Sequence, residues 1–121
     1  MNVIKKENII KEKSFGFAVR IVNLYKYIID TKKEYVISKQ LLRSGTSIGA
    51  NTREALNAES TKDFIHKLAI AQKEADETLY WLELLNETKY INENEFNSMH
   101  NDCSELLKII KSIIITTKKK L

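Results

Sequence analysis

The chain has 121 residues, 43% of them apolar and 30% charged, with a net charge of +4, one cysteine and no proline. That length holds one domain, and that apolar share supports a packed core, which excludes a disordered chain. Cys103 stands alone and nowhere do eighteen apolar residues run together, which argues against a disulfide scaffold and a membrane-spanning helix.

The absence of proline favours long uninterrupted helices. Apolar residues alternating at spacings of three and four predict four of them. The first covers about 13–31, with a core seam of Phe15, Ala18, Val22, Tyr25 and Ile29. The second covers about 35–57, with Ile37, Leu41, Ile48, Ala55 and Leu56 on one arc. The third, 61–88, repeats Phe64, Leu68, Ala71, Ala75, Thr78, Leu82 and Leu85. The fourth, 93–118, repeats Phe96, Met99, Cys103, Leu106, Ile110, Ile113 and Thr117. Ser60-x-x-Asp63 and Asn92-x-x-Glu95 each place a side-chain acceptor at a helix start, with a carboxylate three residues on. The links are a few residues long, which forces neighbours to run antiparallel. The expected fold is therefore all-α: an up-down-up-down, left-handed four-helix bundle in a single domain over 1–121.

Helix 1 carries a second seam, Phe17, Ile21, Leu24 and Ile28, and helix 3 carries Ile70, Trp81 and Leu84 away from its core stripe. A helix apolar nearly all round must be buried nearly all round. These seven residues are the expected interface of a homo-oligomer. The alternative is that residues 3–10 fold back over Phe17 and Leu24.

Gly45 and Gly49 sit four apart inside helix 2. They match neither G-x-x-x-x-G-K-[ST] nor G-x-G-x-x-G. The remaining reading is a small-xxx-small surface that admits another backbone closely.

Chemistry is scarce. A di-metal bundle needs two Glu-x-x-His pairs and two further glutamates. The chain offers Asp63-x-x-His66, and an amide in Asn97-x-x-His100. His100 and Cys103 supply two zinc ligands where four are needed. No catalytic constellation, metal, cofactor, membrane contact or small-molecule substrate is expected. The opening MNVIKKENIIKEK lacks the apolar stretch of a signal peptide, and the lone cysteine suits a reducing cytoplasm.

The basic residues carry more. Residues 1–53 hold eight lysines and three arginines against four acids, a balance of +7; residues 54–107 hold four lysines against twelve acids, a balance of −8. Lys39 and Arg43 share an outward arc of helix 2, with Arg53 beside it. Arg20 faces away from the expected core of helix 1, and Lys118, Lys119 and Lys120 cluster near the end. Such a set can track a phosphate backbone. The alternatives are an ordinary solvated face, and helices of opposite charge that attract one another. Terminal lysines also suit the negative end of a helix.

The run SKQLLRSGTSIGAN (38–51), with REA (53–55), KDFIHKL (62–68), KEADETLYWLELL (73–85) and the opening ENIIKEKSFGFAVRIVNLYKY (7–27), resembles the 23S rRNA intervening-sequence proteins. Their relatives include the accessory variability protein of diversity-generating retroelements. The resemblance covers nearly the whole chain. It implies a homopentameric barrel of four-helix protomers with a basic surface and no enzymatic activity. The retroelement relatives bind nucleic acid and a reverse transcriptase. Thr52 and Arg53 stand where the family pattern is more acidic, which makes this helix more basic. The resulting expectation is a non-enzymatic, cytoplasmic homo-oligomer that binds structured RNA or a nucleic-acid complex. The competing expectation is a protein-interaction scaffold, such as a reverse-transcriptase accessory, with no direct contact to nucleic acid.

Overall fold

The computed structural model describes residues 3–121, so Met1 and Asn2 of the expected domain lie outside the described residues. Four helices form an antiparallel up-down-up-down bundle: α1 (Val3–Tyr27), α2 (Ile37–Leu56), α3 (Thr61–Glu87) and α4 (Glu93–Lys118). Helix α1 packs on α2 and α4, and α3 packs on the same two, so α1 and α3 occupy opposite corners.

The helix ends are set by local chemistry. Ser60 accepts the Asp63 N–H at 3.1 Å, and Asn92 Oδ1 accepts the Glu95 N–H at 2.8 Å. Helix α1 passes into a π-helical turn, Ile28–Lys32, which ends at Lys33 with φ 56°. Glu34 then takes the role of a cap for α2. Its carboxylate accepts the N–H groups of Val36, Ile37 and Ser38 at 2.9, 2.8 and 2.7 Å, while the Ser38 hydroxyl donates to the Glu34 carbonyl at 2.7 Å. Burial pushes the Glu34 carboxyl up, but those N–H bonds outweigh it and hold the group below its ordinary range.

The core stripes of α2, α3 and α4 match the expected periodicity, with Leu41, Ile48, Leu68, Leu82, Met99, Cys103 and Ile110 fully or almost fully buried. Helix α1 departs from expectation in two ways. It begins ten residues earlier, and it is rotated. Phe17, Ile21, Leu24 and Ile28 lie in the protomer's own core with Ile10, so they are not free to form a subunit interface. The seam expected inside is the outer one: Phe15 is 59% exposed and Ala18, Val22, Tyr25 and Ile29 are half-buried, with Val19 beside them 46% exposed. The fold-back of residues 3–10 is replaced by their continuation of the helix.

The rotation has a packing cause. Ser14, buried on the inner seam, lies against Gly49 of α2. A Cβ built on Gly49 would stand 3.2 Å from the Ser14 carbonyl oxygen, and one on Gly45 would stand 2.7–2.9 Å from three carbons of Ile21. The two glycines are therefore the floor on which the inner seam of α1 rests. The charges agree with this register. Lys6 donates to Ser112 and Lys13 pairs with Glu105 at 2.7 Å, while Arg20 pairs with Asp102 and donates to Ser98 at 2.9 Å. These are exposed, solvent-screened contacts that select an orientation rather than supply much stability.

Candidate nucleic-acid interface

The six basic residues expected to hold nucleic acid do not form one surface. Lys39 and Arg43 lie exposed on the outward face of α2, one turn apart. The charge of Arg43 acts on Glu74 of α3. Arg53 is at the other end of α2, its guanidinium 5.9 Å from the centre of the Phe15 ring. Arg20 is committed to Asp102 and Ser98 and serves as a latch between α1 and α4, not as a free phosphate ligand. Lys118 and Lys119 end α4.

A denser arrangement surrounds those last two. Lys108, Lys111, Lys118 and Lys119 are all exposed on α4, at steps of three, seven and one, which places them on one outward stripe. At about 1.5 Å per residue the stripe runs roughly 16 Å. None of the four enters an ion pair. No acid follows Glu105 in the chain. Ile115, 55% exposed, sits at the centre of the stripe. Periodicity alone does not single out Lys108 and Lys111, because it defines only the core face of their helix. The signal that finds them is the absence of acids over the last sixteen residues.

Ile70, Trp81 and Leu84 are half-buried on α3, and the Trp81 indole N–H donates to Glu77 at 3.3 Å. Tyr80, packed edge-on against Trp81 and 57% exposed, is the most open aromatic of that helix. His66 is exposed on the surface, and His100 Nε2 lies 3.4 Å from Glu83. Cys103 is buried with its thiol 3.4 Å from the Ala75 carbonyl, and burial, with Asp76 and Asp102 adding to it, pushes it up to about 12. Among the described residues no three His, Cys, Asp or Glu side chains converge as metal ligands, and no helix is long and apolar enough to cross a membrane.

Residues 6–112 match the family model described as 23S rRNA-intervening sequence protein. The fold is also similar to a crystal structure, at 1.70 Å resolution, of a protein of unknown function from the S23 ribosomal protein family of Bacteroides thetaiotaomicron VPI-5482. The two are 60% identical with a TM-score of 0.89, covering 90% of this chain and 97% of the other. No curated protein matches the chain. Both the helical architecture and the match over residues 6–112 lead to one assignment: the chain belongs to the 23S rRNA-intervening sequence protein family.

Proposed function

We propose that this protein is a non-enzymatic, cytoplasmic homo-oligomer, a pentamer as the family resemblance implies, that binds structured RNA or a nucleic-acid complex through the lysine stripe of α4. The observation that carries the reading is the outward set Lys108, Lys111, Lys118 and Lys119, none of which enters an ion pair among the described residues. Ammonium groups at this spacing suit phosphate contacts, which give affinity without sequence reading. Repeated around an assembly, one or two such contacts per protomer would neutralise several phosphates together, and affinity would fall by about three orders of magnitude between 50 and 200 mM salt. The stripe holds no aromatic platform on which bases could stack. Binding therefore favours shape and charge.

The test is a filter-binding titration of a structured RNA at those two salt concentrations. Lys108→Glu with Lys111→Glu should abolish binding and leave helicity and assembly unchanged. Binding that survives this reversal, or that ignores salt, overturns the RNA reading. The outer seam of α1 supports the second reading, a scaffold that acts through protein contacts alone, and the same negative result would favour it.

A further inference from the structure

Two outer faces of the bundle have chemistry that the protomer does not use. The first is the outer seam of α1 where it adjoins α2. A cleft of about 380 Å³ opens there, with Ala18 and Gly49 on its floor and Phe15, Thr46 and Arg53 on its walls. Exposed cations predominate along the seam, Lys11, Lys26, Lys39 and Arg53 against the exposed acid Glu12. Glu54, the carboxylate at the cleft, is held by Lys67 at 3.1 Å. The second face is the C-terminal half of α3. Tyr80 stands out from it, braced by Trp81, with Asp76, Glu77, Glu83 and Glu87 exposed around it and one cation, Lys73, two turns before it.

The two faces are complementary. One is an apolar cleft with a positive rim; the other is an aromatic knob with a negative rim. They also lie on opposite corners of the bundle, since α1 and α3 are diagonal. No protomer can join its own two faces, but two copies can. We infer that the α1/α2 cleft of one copy receives the Tyr80 face of the next, a head-to-tail contact that leaves α4 at a third corner with its lysines uncovered. This inference rests on the homo-oligomer proposed above and specifies which surfaces build it. A contact between unlike patches propagates from copy to copy until it closes a ring, whereas a self-complementary patch stops at a dimer. The apolar centre excludes water, and the charged rims set register and reject the reversed arrangement.

Head-to-tail contact has a signature that no same-face contact shares. Phe15→Asp with Val19→Asp destroys the cleft and spares the knob; Tyr80→Asp destroys the knob and spares the cleft. Phe15 and Tyr80 are each more than half exposed, so their replacement leaves the core intact, which circular dichroism checks. Native mass spectrometry at micromolar concentration should show each variant alone as a 14.0 kDa monomer. Mixed in equal amounts, they should form one contact and stop, giving a dimer of twice that mass with one copy of each variant. Lys26→Glu with Lys39→Glu, a milder change at the rim, should weaken assembly about tenfold or more without touching the apolar centre. A wild-type oligomer that persists in both the Phe15/Val19 and Tyr80 variants overturns the inference and leaves the oligomer standing. Monomeric variants that fail to pair on mixing also overturn it, in favour of a same-face contact. A monomeric wild type removes both the inference and the oligomer beneath it.

Discussion

Replacing Gly45 by alanine separates helix propensity from packing. Propensity alone predicts a gain of about 1 kcal/mol in a helix interior. In the structure the added Cβ would lie 2.7, 2.8 and 2.9 Å from Cγ1, Cδ1 and Cγ2 of Ile21. Ile21 is fully buried and β-branched, so its side chain has few rotamers and no void to enter. Overpacking of this kind costs about 1–3 kcal/mol, which cancels or exceeds the gain. Two internal controls sharpen the result. Gly16 has nothing within 4 Å of its built Cβ, so Gly16→Ala should gain nearly the full propensity effect. Gly49 meets the Ser14 carbonyl oxygen at 3.2 Å, a contact that needs a shift of a few tenths of an ångström, so Gly49→Ala should fall between. Urea unfolding at one fixed protein concentration should therefore rank the variants Gly16→Ala, then Gly49→Ala, then Gly45→Ala, with the last at or below wild type. Adding Ile21→Val to Gly45→Ala removes the Cδ1 contact and should recover part of the loss as a favourable coupling of about 0.5–2 kcal/mol. A Gly45→Ala variant stabilised as much as Gly16→Ala would refute the close-approach argument and the register it assigns to α1.

Two further outcomes follow from buried groups. Glu34 titrates below its ordinary value of 4.5, so its stabilisation is complete above that value and is lost as pH falls through the depressed one. Glu34→Ala should cost about 1–2 kcal/mol at pH 7, the scale of a lost cap, and the gap to wild type should narrow below about pH 4 in urea titrations; a gap that is constant from pH 7 to pH 3 contradicts this. Cys103, with its thiol raised to about 12, should react with a thiol-exchange reagent roughly a thousandfold more slowly than an exposed cysteine at neutral pH and at the ordinary rate in denaturant, and rapid modification of the native protein would show that α3 and α4 do not close over it.

Most of the bundle was legible because α3 and α4 each carry one continuous apolar stripe, beside which Ile70, Trp81 and Leu84 are isolated. Leu68, Ala71, Ala75, Leu82 and Leu85 cannot be buried without orienting their helix, and the caps at Ser60 and Asn92 mark where each begins. Helix α1 offers two stripes of similar spacing, and periodicity has no means to choose between them. The choice is made by shape: Ser14 and Ile21 of the inner seam meet α2 at Gly49 and Gly45, where a Cβ would crowd them. That is a pairwise fact about two helices, and one helix's pattern does not contain it. Residues 3–12 are hard to read as part of α1 for a related reason. Lys5, Lys6, Glu7, Lys11 and Glu12 dilute the apolar signal, although Ile10 extends the inner seam at the same step. The candidate site was less legible still. Arg20 reads as a free cation until Asp102 and Ser98 of α4 are brought beside it.

The charge asymmetry between the two halves of the chain has two components, and only the structure separates them. Part is consumed inside the protomer, where Lys13 meets Glu105, Arg20 meets Asp102, Lys67 meets Glu54 and Arg43 acts on Glu74. Opposite helices attracting one another therefore accounts for those residues and requires no partner. Among what remains, cations gather beside the apolar cleft of α1 and α2, acids gather near Tyr80 on α3, and the C-terminal part of α4 beyond Glu105 carries lysines and no acid. The first two sets adjoin exposed apolar surface, whose burial contributes free energy that salt does not screen. The α4 stripe has only Ile115 at its centre, so whatever it holds is held mainly by charge. Raising the salt from 50 to 200 mM should accordingly strip nucleic acid from the lysine stripe while the copies stay joined. That difference assigns the two residual charge patterns to different partners, and it does so without altering a single residue.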